Sequence, residues 1–253
     1  MINAIANRAR RVGLGAAMVM TGLSASHAIA DESGWQTLFE EPPSASWIDA
    51  GSASLDSQDS SKLHGVPGDG VLISTRRGTK RERNLTSPDH YGDAEVRLEF
   101  MLSRGSNAGV KMQGLYEVQL YDSHGKAVAA ATDCGGIYPR AVRKPRYHHI
   151  DKGFPPLSNA AKPAGQWQTL YIRFRAPTFD NDGAKKTSAV FEEVRINGEV
   201  VQQNVTVPMP TGAYWQTRDE VARGPLYLQG DHGPVAYRSV EVRPLATPRA
   251  DAG

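Results

Sequence analysis

From residue 31 onward the chain alternates apolar and polar residues with a period of two, and almost nowhere with the period of a helix. That parity constrains the fold more than any other feature, because a strand turns successive side chains to opposite faces while a helix repeats near 3.6 residues. Ala94–Leu102 (AEVRLEFML) puts Glu95, Arg97 and Glu99 on one face and Val96, Leu98 and Phe100 on the other. Residues 109–121 hold a strand pair whose second member, 115–121, alternates again, and 167–175 (WQTLYIRFR) reads as another strand. Ala189–Ile196 and 199–203 flank Asn197-Gly198, a dipeptide suited to a two-residue type I′ hairpin because both turn positions need φ > 0. Residues 226–229 and 235–242 add two closing strands. Short strands separated by Gly, Pro, Asn and Asp, without βαβ alternation, predict an all-β fold: an antiparallel β-sandwich or jelly roll.

The first thirty residues stand outside this pattern. Arg8, Arg10 and Arg11 precede an apolar run, 12–23, and Ala28-Ile29-Ala30 supplies a small-x-small cleavage pattern. A membrane anchor needs about 20 apolar residues, and Gly13, Gly15, Thr21 and Gly22 interrupt this run. A signal peptide cleaved after Ala30 is expected, with the mature protein periplasmic or secreted and free of a transmembrane anchor. Removing it leaves 26 basic against 27 acidic residues, a net charge of −1, so the basic balance of the full chain belongs to the export segment. Nothing global then argues for a nucleic-acid or anionic-membrane partner. The mature 31–253 is long enough for one large β domain, and no linker or internal repeat divides it. Its lone cysteine, Cys134, cannot form an internal disulfide, so packing alone must hold the fold.

Several segments could carry chemistry. In 116–122 (YEVQLYD), Glu117, Gln119 and Tyr121 share one face and Tyr116, Val118 and Leu120 the other. A carboxylate beside an amide and a phenol suits a polar groove, although an ordinary solvent-facing strand has the same pattern. In 228–234 (LQGDHGP), glycines and a proline fix a tight turn around Asp231 and His232. That His fits a general base, a metal ligand or a substrate donor, and equally a turn in which Asp231 caps backbone amides. Ser106-Asn107-Ala108-Gly109 reads as a turn, and the basic stretch 76–84 as a solvated hairpin loop. His148 and His149 point apart on an extended chain, and Cys134 has no basic neighbour in sequence. The proline-rich stretch 138–165 is too long for a plain connection and is expected to be a functional or Ω-like loop. Zinc spacing, a P-loop, a dinucleotide fingerprint and a G-x-S-x-G elbow are all missing from the sequence.

Taken in order, a longer series of short motifs resembles the 3-keto-disaccharide hydrolase domain family. It runs through Gly34-Trp35, Leu38-Phe39, Tyr91-Gly92-Asp93, Leu98-Glu99-Phe100, Ser106-Asn107-Ala108-Gly109 and Tyr116-Glu117-Val118-Gln119 with Asp122. It continues through Gly136-Ile137-Tyr138, Lys162-Pro163, Gly165-Gln166-Trp167 and Ile196-Asn197-Gly198. It ends with 224–229 (GPLYLQ), His232-Gly233 and 235–238 (VAYR). The chain departs from the usual pattern at Ala108, where a second Ser is common, at Gln168 and Ser239, where Asn is common, and in an expanded 138–165 loop.

The resemblance implies a concanavalin/laminin-G-like jelly roll with a carbohydrate site on its concave sheet, and cleavage of glycosides already oxidised to a ketone at C3. Such chemistry needs a base near C2, a group that stabilises an enolate oxygen and an acid for the departing oxygen. Glu117 or His232 is expected as the base, with Asn107, Gln119, Arg238, Glu99 and Gln229 holding the sugar. Arg238, Asn107 or a divalent cation would polarise the ketone, and Asp122 and Asp231 are the candidate metal ligands. Two-carboxylate hydrolysis, with Glu99 or Asp122 as the partner of Glu117, is the competing chemistry. A lectin-like binding module without catalysis and an envelope interaction domain are the alternatives from other classes.

Overall fold

The computed structural model describes residues 34–42, 44–74 and 83–245. The expected signal segment, most of the basic 76–84 stretch and the last eight positions lie outside the described residues. In chain order the strands are β1 (Gln36–Thr37), β2 (Trp47–Leu55), β3 (Leu63–Ser74), β4 (Leu85–Tyr91), β5 (Ala94–Leu102), β6 (Asn107–Met112), β7 (Tyr116–Tyr121) and β8 (Ala141–Val142). They continue as β9 (His148–His149), β10 (Gln168–Arg175), β11 (Thr178–Phe179), β12 (Lys185–Thr187), β13 (Ala189–Ile196), β14 (Glu199–Val207), β15 (Gly224–Leu228) and β16 (Val235–Pro244). Every pairing between them is antiparallel.

Two sheets make the sandwich. The large one has the order β14-β13-β10-β5-β16-β3-β2 with β1 on the far end of β16, and the small one the order β4-β15-β6-β7. Parity decides what lies between them. Val96, Leu98 and Phe100 of β5 and Leu170, Ile172 and Phe174 of β10 meet Val110, Tyr116, Val118, Leu120 and Leu226 of the small sheet in one buried cluster. The Tyr116 and Phe174 rings, 5.6 Å apart, join the two layers. Burying side chains of this size stabilises by about 1.5–3 kcal/mol each.

The hairpin between β13 and β14 turns at Asn197 (φ 53°) and Gly198 (φ 83°), as the dipeptide demands. The expected turn at 106–109 is instead the start of β6, with Asn107 opposite Tyr121. Ala108 packs in the core there, so the alternation of 107–112 is strand alternation, and the reversal before it falls at Arg104 and Gly105. The 138–165 stretch folds back over the small sheet: Ile137 bridges both Val118 and Phe154, and the short pair β8–β9 forms the excursion between them. Among the described residues no helix is long and apolar enough to cross a membrane.

Candidate active site

The outer face of the small sheet is built in rows. Tyr227 of β15, Lys111 of β6 and Glu117 of β7 lie directly opposite one another. The next row holds Gln229, whose N–H donates to Gly109 O at 2.8 Å, then Gly109 and its partner Gln119. A third row begins with Asn107 and Tyr121. The residues between these, Val110, Val118 and Leu228, point into the core, which forces the polar set onto a single face.

Gly109 is the reason the centre of that face is hollow. A Cβ there would sit 2.3 Å from Glu117 Oε1, so only glycine leaves room for the carboxylate. The other Glu117 oxygen accepts from Lys111 Nζ at 2.7 Å, and both side chains are about 5% exposed. The ammonium also stands 5.0 Å from the Tyr214 ring and 5.7 Å from the Tyr227 ring, within cation–π range. Thr211 braces the strand from behind, accepting from Glu117 N–H at 3.0 Å and donating to Leu115 O at 2.9 Å.

A second acid–base pair stands on the turn after β15. His232 Nδ1 is 2.6 Å from Asp231 Oδ1 and 2.9 Å from Gln229 Nε2. The shorter contact places the Nδ1 proton toward Asp231, so Gln229 Nε2, itself a donor, lies beside that nitrogen without a hydrogen bond to it. Burial disfavours the charged form of Asp231, but the hydrogen bond and charge of His232, with the Asn84 amide, outweigh it and hold the carboxyl below its ordinary value. The turn itself is anchored by Ser74, donating to Gly230 O at 2.8 Å, and by Tyr237, donating to Gln229 O at 3.0 Å.

Two phenols complete the walls. Burial first, then the contact with the Tyr147 hydroxyl and the nearby charge of Glu117, raises the Tyr138 hydroxyl far above its ordinary value. Burial, then Tyr214, Asp231 and Glu117, does the same for Tyr227. Both remain protonated donors. The Tyr138 oxygen also lies 3.1 Å from His149 Nε2.

These groups surround a cavity of about 480 Å³, within the ~300–1,000 Å³ common for small-molecule sites. Of the residues expected from sequence, Glu117, Gln119, Asn107, Gln229, Asp231 and His232 line it. Gln119 is oriented by its donation to Asn107 Oδ1 at 3.0 Å. The expected sugar contacts Glu99 and Arg238 are elsewhere. Tyr237 faces the core, so Arg238, one residue on, points outward from the large sheet. There it pairs with Glu99 directly opposite and lies 4.1 Å over the Trp167 ring. Asp122 is also outside the cavity, accepting from Gly105 N–H at 2.9 Å. Neither Glu99 nor Asp122 can partner Glu117 across a glycosidic bond from these positions. Among the described residues no three His, Cys, Asp or Glu side chains converge on a common point where a metal could sit.

Lys111, Tyr138, Arg143, Tyr147, Tyr214 and Tyr227 line the cavity as well and were not anticipated from sequence. Two of them were within reach of the same parity argument: Lys111 between Val110 and Met112, and Tyr227 between Leu226 and Leu228. The others come from loops that carry no period. His148 is exposed and stays outside. Cys134 is buried, and burial pushes its thiol up to about 12, which makes it inert.

A family model described as a 3-keto-alpha-glucoside-1,2-lyase-like domain matches residues 34–243. Three solved proteins of Parabacteroides distasonis, each named as a candidate glycosyl hydrolase, share the architecture. One has a TM-score of 0.56 at 24% identity over 84% of each chain. Another has 0.53 at 18% identity over 83% of this chain and 99% of that one. The third has 0.50 at 13% identity over 85% and 91%. At these identities the likeness establishes the fold. No curated protein matches the chain significantly.

Proposed function

The chain belongs to the 3-keto-alpha-glucoside-1,2-lyase-like domain family, and from that premise we propose that it is an exported enzyme cleaving the glycosidic bond of 3-keto-glycosides, including 3-keto-disaccharides. The observation that carries this reading is the meeting, in one cavity, of a buried Lys111–Glu117 pair with an Asp231–His232 pair.

A ketone at C3 makes the C2 proton acidic. In the proposed step Glu117 takes that proton, and the electrons move to the C3 oxygen as an enolate. Lys111, the buried cation beside Glu117, stabilises the developing charge together with a phenol hydroxyl. This is the role that sequence had offered to Arg238, Asn107 or a divalent cation. The enolate collapses to a C1–C2 double bond as the C1–O bond breaks, and protonated His232 gives the Nε2 proton to the departing oxygen. Water added across the double bond, with the roles reversed, completes net hydrolysis. Gln119, Asn107 and Gln229 orient the ring through its hydroxyls.

The test is incubation with a 3-keto-disaccharide and its unoxidised parent, with and without chelator. Keto-specific cleavage is expected, with deuterium from solvent entering C2. Glu117→Gln should lower kcat by about 10²–10⁴-fold while circular dichroism stays native. Equal turnover of the parent would replace elimination with conventional hydrolysis. Saturable binding without product would make the chain a lectin-like module. Loss of activity with chelator, restored by a divalent ion, would add a cation held at Asp231 and His232. Export is checked by N-terminal sequencing of the secreted chain, expected to begin at Asp31.

A further inference from the structure

One charge in the cavity has no counterpart. Lys111 pairs with Glu117 at the centre, and His232 with Asp231 on the β15 side. With His232 protonated, as the proposed step requires, these four charges cancel. Arg143 lines the same cavity, and among the described residues no carboxylate pairs with it. The excursion around it repeats the imbalance. Residues 140–152 carry five Arg and Lys against one acid, Asp151, in a chain whose positions 31–253 sum to −1. That acid is committed to Arg140, 2.7 Å from its Nε. Arg143, Lys144 and Arg146 are left as exposed cations on the turn between β8 and β9.

Both arms of that turn are tied to the cavity wall. On the β8 arm, Ala141 N–H donates to Gly212 O at 2.7 Å and Gly212 N–H to Pro139 O at 3.1 Å. Trp215 Nε1 donates to Ala141 O at 2.8 Å. On the β9 arm the His149 ring stands edge-on to Tyr138 and Tyr147, with centroids 5.2 and 5.8 Å away. Gly212 and both phenols belong to the cavity lining. A guanidinium carried on a fixed turn presents its fork to an oxyanion at a smaller ordering cost than one on a free loop. The sheet order decides which part of the sugar it meets. The small sheet runs β15, β6, β7, and Ile137, bridged to Val118, puts the excursion beyond the β7 edge. In the proposed step the departing oxygen on C1 meets His232 at the β15 side. C4, and C5 with its C6 arm, stand across the pyranose ring from C1 and C2, so they face the excursion.

We propose that Arg143 makes the site selective for acidic sugars, binding an anionic group, a carboxylate or a sulfate, on the C6 arm of the glycone. This deepens the catalytic reading above, on which it rests for the orientation of the ring, and its test separates the two. Calorimetry compares methyl glucoside, methyl glucuronide and methyl glucoside 6-sulfate, all unoxidised, and turnover of their 3-keto forms is followed in parallel. At least one anion should bind on the order of tenfold more tightly than the neutral glucoside at low salt. The gain should shrink as salt screens the contact, and the anion with the larger gain distinguishes the acid from the ester. Arg143→Gln should abolish the gain, and Arg143→Lys should restore part of it, because lysine keeps the charge without the bidentate fork. Lys144→Gln combined with Arg146→Gln, at positions that do not line the cavity, should lower it by less than about twofold. No gain for either anion, or a gain that survives Arg143→Gln, would overturn the proposal. So would a gain lost equally in the Lys144 and Arg146 variant, which would assign it to the general field of the excursion. Equal binding of all three sugars, with capture of the protein by phosphatidylglycerol vesicles through these cations, would overturn it in favour of a membrane contact. An Arg143-dependent gain with no turnover of any 3-keto form would uphold the acidic preference and overturn the catalytic reading. Equal binding and equal turnover of all three would do the reverse.

Discussion

Lys111 and Glu117 hold opposite charges 2.7 Å apart with almost no solvent around either. Removing one partner of such a pair strands the other in a low-dielectric setting, at a cost of about 3–5 kcal/mol, whereas removing both is often nearly neutral. Lys111→Met should therefore lower stability strongly in chemical denaturation. The double change Lys111→Met with Glu117→Leu should recover most of that loss while activity stays absent. If the double variant is as unstable as the single one, the pair is not the coupled unit described here. Gly109 is the companion test, because a methyl group there meets Glu117 Oε1 at 2.3 Å. Gly109→Ala should displace the carboxylate from Lys111 and lower kcat at least tenfold, with a stability change of about 1–3 kcal/mol. Cys134, with its thiol pushed up to about 12, should not react with a thiol reagent at pH 8 until denaturant is added.

At the scale of elements, β5 and β7 were legible because each alternates strictly, whereas the start of β6 read as a turn because Asn107 and Gly109 are turn-forming residues. Once one apolar residue faces the core, the identity of every groove-facing residue follows. The same rule places Glu99 and Arg238 correctly on a polar face of their strands. Parity does not say which sheet of the sandwich a strand joins, and these two joined the other one. The loop elements behave differently. Residues 143–150 are exposed throughout, yet Arg143 and Tyr147 reach the cavity. Replacing 143–150 by a short Gly/Ser connection should leave the melting temperature within a few degrees, since little core is lost. KM for the 3-keto substrate should rise on the order of tenfold. An unchanged KM would show that the excursion does not contact substrate.

At the scale of the molecule, the two outer faces divide the work. The small sheet carries the cavity, and the large sheet carries ladders of paired charge such as Arg97–Glu241, Arg173–Glu192 and Arg195–Glu193. Exposed pairs of this kind contribute about 0–1 kcal/mol each. Glu95 is the exception, 4% exposed and bonded to Tyr171 and Arg243. Burial opposes its charge, but those hydrogen bonds and the neighbouring arginines hold its carboxyl below the ordinary value. A depressed carboxyl contributes stability that is fully present above its unfolded value, ~4.3, and is lost as pH falls through the lower folded value. Glu95→Gln should thus reduce the melting temperature most at pH 6–7 and progressively less toward pH 3. A difference that grows on acidification would contradict this account.

The sequence alone determined the all-β class, the strand faces of β5 and β7, and the Asn197-Gly198 reversal, because parity and turn stereochemistry are local and written in neighbouring residues. It also brought forward six of the cavity residues: Glu117 and Gln119 from strand parity, Asp231 and His232 from turn chemistry, and Asn107 and Gln229 through the family resemblance. Only the tertiary structure decided that Lys111 completes Glu117, that Tyr138, Tyr147 and Tyr214 arrive from loops to close the cavity, and that Glu99 and Arg238 belong to the opposite surface. Those outcomes depend on which strands pair and which sheet each strand enters. That choice is made by long-range packing between segments far apart in the chain, such as the 94 positions between Glu117 and Thr211 and the 156 between Ser74 and Gly230. No local pattern carries it.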